Sequence, residues 1–343
     1  MNKLRYPEKK YLSTYELTST FFKTLGVKVV DIIPLRKVFV LKTDKGNKIL
    51  KKVDYDGERL NFINLCVENI SKKFPNIISF NTFSDGKKYK MWKGNCYVLM
   101  DLIEGREATF TNPIEFKMCG ELLAKAHLAS LEFAGEKNIK SKIDKSLVIK
   151  YREALKNIEE EEILVKSFRF TNEFDSLFIH ESQGYIKEIK EAIKLLALSK
   201  YSDYREAGKN IVVCHNDLAE HNFLFSSNEM YLIDFDYCSI DLRIMDLADL
   251  LLNGIKNVAF DFSKALDVID GYNKIYPLEN EEYKLLYILL LFPREFCGMV
   301  TSYYHKQKSW EEEVFINRLK MKIMNEDFRR EFLEKYRIKF NIS

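Results

Sequence analysis

The texture of the chain changes near residue 105, and that change limits the folds open to it. Before it, runs rich in β-branched residues crowd together: "VKVVDIIP" (27–34), "KVFVLKT" (37–43) and "NKILKKV" (47–53). The last two are joined by the turn "DKGN", a good hairpin signal. "GERLNFINLCVENISKKF", from Gly57, sets Leu60, Ile63, Val67 and Ile70 on one face of an amphipathic helix. "IISFNTF" (77–83), "YKMWKG" (89–94) and "NCYVLMDL" (95–102) return to strand character, with an Asp85-Gly86 turn between the first two. After "IEGRE" helical periods dominate, and Pro113 stands where a helix begins. Residues 140–205 are charged and poor in glycine, and they read as a helical insertion. A strand–loop–strand unit from 211 to 237 interrupts before helices run to the end. The expected class is α+β and bilobal: a β-rich lobe with one helix at 1–103 and a mainly helical lobe at 104–343.

The polar residues with chemical potential fall in the interruption. "VCHNDLAEHN" (213–222) is followed by "LIDFDY" (232–237), both flanked by apolar strand residues. His215-x-Asp217-x4-Asn222 has the spacing of a kinase catalytic loop. Phosphoryl transfer from ATP needs a carboxylate on the attacking hydroxyl, oxygen ligands for Mg²⁺ and a cation on the phosphates. Asp217 is the candidate base. Asn222 and Asp234 carry the hard oxygens that suit Mg²⁺. Lys51 is the candidate strand lysine, with Lys52 the alternative if the register slips by one. Glu58, early on the following helix, is its expected partner. "YVLMDLIEG" reads as the last strand of the first lobe entering a hinge, where Met100 and Leu102 offer contacts to adenine.

These residues resemble the aminoglycoside phosphotransferase/choline kinase superfamily, whose fold is like that of protein kinases. Within it they are similar to the spore-coat-protein S branch of endospore-forming bacteria. The features that carry the resemblance are "LLAKAHLAS" (122–130), "CHNDLAEHN", "LIDFDYCSIDLRIMDLADLL" (232–251) and "LFPREFCGMVTSYY" (291–304), in the expected order over most of the chain. The resemblance implies an ATP- and Mg²⁺-dependent kinase acting on an unidentified hydroxyl acceptor. It implies that His215 braces the catalytic loop and that Asp246 is the buried acid bonding that loop's backbone. It also implies a second role, a structural or scaffolding coat protein with a weak or inactive kinase fold, whose partners are other spore coat proteins. The chain departs from the family in two places. Asn216 stands where glycine is common, though Asn tolerates left-handed φ better than most residues. The turn over the phosphates, "PLRKVFV" (34–40), has no glycine, and no G-x-G occurs in the chain.

Other classes are poorly supported. A net charge of +3 in 343 residues, with Lys and Glu interleaved, gives no basic stripe for nucleic acid. The absence of G-x-G excludes a Rossmann fingerprint, no Walker A loop is present, and no G-x-S-x-G elbow occurs. The six cysteines are scattered without a CxxC pair and read as reduced thiols. His221, beside His215 and Cys214, lacks further ligands at zinc spacing, and His127 on an apolar helix reads as a core or brace histidine. The opening "MNKLRYPEKKYLS" has no apolar segment, so synthesis in the cytoplasm without a secretory signal is expected. The longest apolar run, residues 285–292, falls short of the about 18 residues that span a bilayer, so no membrane is expected. A cleft rich in carboxylates would indicate a cationic acceptor such as an aminoglycoside or choline.

Overall fold

The computed structural model describes residues 16–35, 38–140 and 146–342. The opening segment, on which the secretory reading rests, and residues 36 and 37 of the 34–40 turn lie outside the described residues. In chain order the first elements are α1 (Ser19–Lys23), β1 (Val29–Leu35), β2 (Val38–Thr43), β3 (Gly46–Val53), α2 (Gly57–Lys73), β4 (Lys90–Trp92), β5 (Asn95–Asp101) and β6 (Arg106–Glu107). Helices α3 (Pro113–Gly135), α4 (Lys137–Lys140), α5 (Leu147–Lys166), α6 (Glu173–Leu198) and α7 (Tyr201–Ala207) follow. Then come β7 (Ile211–Cys214), β8 (Phe223–Ser226), β9 (Glu229–Leu232) and β10 (Ser239–Leu242). The chain ends in α8 (Arg243–Ile255), α9 (Phe262–Ile275), α10 (Asn280–Leu291), α11 (Arg294–Tyr304), α12 (Glu312–Met324) and α13 (Glu326–Lys339). The α+β class expected from the sequence is the class found, with the sheet early and the helices late.

Two compact units emerge: Met1–Ala108 with His221–Cys238, and Thr109–Glu220 with Ser239–Ser343. In the first, an antiparallel sheet runs in the order β1-β2-β3-β5-β4. Phe39, Leu41, Leu50, Tyr97 and Leu99 share a core with Phe21, Leu25 and Phe83. Strand side chains alternate between faces, so a core-facing Leu50 places Lys51 on the opposite face. Asp56 caps α2 by accepting the Arg59 N–H at 2.8 Å, and the helix buries Leu60, Ile63, Val67 and Ile70 as its period predicts. A second antiparallel sheet has the order β6-β8-β9.

One strand expectation fails. Residues 77–83 form no named strand and make only two isolated bridges, Ile77 to Leu232 and Phe80 to Met100. The flanking backbone divides its hydrogen bonds between the two sheets. Leu232 N–H donates to Asn76, and Asn81 N–H donates to Leu99. A segment serving two sheets cannot ladder with one.

In the second unit α3 begins as its Pro113 predicts, with Asn112 accepting at its N-cap. It crosses α9 closely, because a Cβ on Gly120 would lie 2.4 Å from the Val268 carbonyl and one on Gly271 2.2 Å from that of Lys117. Strand β7 pairs antiparallel with β10. Arg243 is fully buried. Its Nε donates to Glu282 at 2.7 Å, and its guanidinium stacks 3.5 Å from the Tyr276 ring centre. By length and mean hydropathy the stretch Asn280–Tyr304 is long enough to cross a membrane, but most of its most apolar 18-residue window is buried within the protein. It breaks between α10 and α11 at Pro293, so it serves as two packed core helices.

Candidate functional site

In the first unit, the face of β3 opposite the core carries Lys51 to the β9 hairpin. Its Nζ lies 2.8 Å from Asp234 and 2.8 Å from Asp236. Burial pulls the amine's pKa down, but Asp236 and then Asp234 more than offset that, and the net shift is upward. Lys52 faces away and lies 3.7 Å from Asp54. Glu58, the expected partner, is exposed in the first turn of α2, and the two aspartates take the lysine instead. Asp236 is held further: the Tyr55 hydroxyl donates to it at 3.1 Å, and Arg59 donates to its carbonyl at 2.7 Å. Burial raises the Asp236 carboxyl, Lys51 opposes that, and Asp234 adds to it.

Asp234 sits in left-handed backbone, φ 66°, at the start of a 3₁₀ turn over Phe235–Tyr237. That conformation swings the chain out of β9 and leaves the carboxylate exposed. Asn222 is buried at the end of another 3₁₀ turn, and its carbonyl accepts the N–H of Ile233 at 3.0 Å. One backbone bond thus ties Asn222 to the residue before Asp234. At the end of β5, Met100 pairs with Ile49 in the sheet, and Leu102 donates its N–H to the Asn47 carbonyl at 3.0 Å. An adenine contact at Leu102 would therefore rest on its carbonyl and side chain.

In the second unit, the loop after β7 holds Asp217, half-buried. Asp246, wholly buried on α8, accepts the N–H of His215 at 2.6 Å and that of Asn216 at 2.9 Å. His215 in turn accepts the Asp217 N–H on Nδ1 at 3.2 Å. Asn216 adopts φ 63° and donates its amide to Ser239 Oγ at 2.8 Å. Behind them His127 contacts Tyr272 on one nitrogen at 2.7 Å and Asp246 on the other at 3.1 Å. Asp249 accepts the Leu218 N–H at 2.9 Å. Two α8 aspartates therefore fix the backbone on both sides of Asp217. His221 is exposed.

The sequence profile of the family described as "Spore coat putative kinase YutH" matches residues 38–336. The chain belongs to this family. Spore coat protein S of Bacillus subtilis (strain 168) is 26% identical over 306 residues, 88% of this chain and 86% of that protein. An aminoglycoside phosphotransferase from Alicyclobacillus acidocaldarius has the same fold, with TM-score 0.83, 16% identity, and 95% of this chain and 96% of that one covered. A spectinomycin phosphotransferase in complex with ADP and spectinomycin aligns at TM-score 0.63 and 17% identity over 94% and 97% of the two chains. The fold is thus that of the aminoglycoside phosphotransferase/choline kinase superfamily, and the protein is a kinase-like member of a spore coat family.

The first unit's oxygen donors fit Mg²⁺. Asp234 and Asp236 already converge on one cation, the Lys51 amine, and Asn222 adds an amide oxygen on the tethered turn. Sequence reasoning missed Asp236. The spacing in "IDFDY" was its one signal, two acids at i and i+2.

Proposed function

We propose that this spore coat kinase-like protein transfers the γ-phosphoryl group of ATP to the hydroxyl of an acceptor. The observation that carries the reading is the Lys51 amine held 2.8 Å from both Asp234 and Asp236, on the strand and hairpin where the spacing requires a phosphate cation and a metal acid. Lys51 would hold the phosphates, with Asp236 in the positioning role expected of Glu58. Asp234 and Asn222 would hold Mg²⁺, which when bound neutralises phosphate charge. Asp217 would orient the acceptor hydroxyl and take its proton, its backbone fixed by His215, Asp246 and Asp249. Nucleotide binding by the spectinomycin phosphotransferase of like fold supports the ATP assignment.

The test is calorimetric titration with ATP and Mg²⁺, paired with phosphate-transfer assays. Wild type should bind, Asp234→Asn should lose Mg²⁺-dependent binding, and Asp217→Asn should keep binding. Loss of the base should lower turnover about 10²- to 10⁴-fold. Absence of nucleotide binding in the wild type would sink the reading.

A second reading keeps the fold as a scaffold deposited in the spore coat. The relative's designation as a spore coat protein and the glycine-free 34–40 turn favour it. Rescue of coat assembly in a deletion strain by Asp217→Ala would establish the scaffold role as independent of turnover.

A further inference from the structure

A cavity of about 470 Å³ opens in the second unit, among the end of α8, the first turn of α11, α12 and the start of α13. That is the size of a small-molecule site. Its floor is apolar, with Leu252, Phe260, Leu290 and Met299. Five cations line it, Lys256, Arg294, Arg318, Lys322 and Arg329, against one carboxylate, Glu295.

The charges do not cancel within the lining. Lys256 at 2.9 Å and Lys322 at 2.6 Å share the single carboxylate of Glu295. Burial alone would raise that carboxyl, yet Lys322 and Lys256 hold it down at about 2. Arg294 is paired with Asp249, and Arg329 with Glu188 and Glu326, carboxylates outside the lining. Arg318 is exposed and lies 4.2 Å over the Trp310 ring, with no carboxylate partner among the described residues. The shared Glu295 and the unpaired Arg318 leave a positive excess facing the space. The N-terminal turn of α11, which also favours negative charge, forms part of the wall.

Two of these cations, Lys256 and Arg294, connect to the loop that carries Asp217. Lys256 donates to Asn253 at 3.0 Å, and Asn253 donates to the Leu218 carbonyl at 3.1 Å. Arg294 donates to Asp249 at 2.8 Å, and Asp249 accepts the Leu218 N–H. Leu218 directly follows Asp217.

We infer that this cavity takes the acceptor, and that the acceptor is a hydroxyl compound with an apolar body and an anionic group. The inference rests on the phosphotransferase reading for the acceptor role. It runs against a cationic acceptor such as an aminoglycoside or choline, because an ammonium would meet the cationic wall without a free carboxylate to pair with.

A matched pair of probes isolates the charge: 4-hydroxyphenylacetate and tyramine share the ring and hydroxyl and differ in the sign of the tail. Calorimetric titration of the full chain should show the anion binding at least about tenfold tighter than the amine. Arg318→Gln, on an exposed residue without an ion pair, should weaken the anion about threefold with Tm unchanged. Glu295→Gln should tighten it. Equal or tighter tyramine binding, or no binding of either probe at about 10 mM, overturns the inference. So does a probe preference that neither variant alters. ATP·Mg²⁺ binding measured on the same sample separates the two readings. Charge selectivity without nucleotide binding removes the acceptor role, whereas nucleotide binding without selectivity overturns this inference alone.

Discussion

Asn216 occupies left-handed backbone at φ 63°, a conformation that glycine adopts without strain. An L side chain there costs about 1–2 kcal/mol, least for Asn and Asp, whose short polar groups bond locally. Here the amide reaches Ser239 Oγ, while the N–H is fixed by Asp246. Asn216→Gly would relieve the backbone and lose the amide contact, so chemical denaturation should find it within about 1 kcal/mol of wild type. Asn216→Val should cost about 1–3 kcal/mol, since a β-branched residue resists this φ. A Val variant as stable as wild type would show that the loop escapes the left-handed conformation. The tolerance of Asn for this conformation was legible from its residue type. The partner of Lys51 was not, because it depends on where a turn 183 residues later meets β3. Local spacing favoured Glu58, the first acid on the next helix, but tertiary contact selected Asp234 and Asp236.

Periodicity located helices well because it reports which face is buried. It placed α2 with its Leu60, Ile63, Val67 and Ile70 stripe, and the start of α3 at Pro113. Which helices cross, and how closely, does not follow from a period. The α3–α9 crossing depends on glycines notched against the partner's backbone, Gly120 on Val268 and Gly271 on Lys117. Mid-helix glycines in "MCGEL" and "IDGYN" were the available signal. Elsewhere in a helix, Gly→Ala stabilises by about 1 kcal/mol through propensity. At Gly271 the added methyl would meet a carbonyl at 2.2 Å, and helix backbones must separate to admit it. Gly271→Ala should therefore destabilise by about 1–3 kcal/mol. Gly135, where a Cβ meets nothing, is the control and should not lose stability on the same change. A stabilised Gly271→Ala would refute the close crossing.

A linear reading divides the chain at 103/104, but contacts place the boundary at Ala108/Thr109 and return 221–238 to the first unit. The cause is β pairing: Arg106 and Glu107 ladder with Phe225 and Leu224, and β8 carries β9 with it. Composition cannot reveal a strand that joins a sheet from a distance of over 100 residues. The response of the whole protein to acid can now be argued from two groups in the second unit. Burial lowers the His127 pKa, and Asp246 only partly offsets it, so the native state holds this ring neutral. The unfolded chain then binds a proton that the native chain refuses, and stability falls as pH drops below about 6.5. Glu295 acts lower. Its carboxyl is held at about 2, so its contribution is complete above the unfolded value near 4.5 and is lost as pH falls towards 2. Urea denaturation from pH 8 to 3 should thus show two declines. His127→Gln should flatten the upper one, whatever it does to stability at pH 8. Glu295→Gln should flatten the lower one and leave the upper intact. If both variants retain the wild-type slopes in both windows, neither the neutral buried histidine nor the lysine-held glutamate governs acid stability.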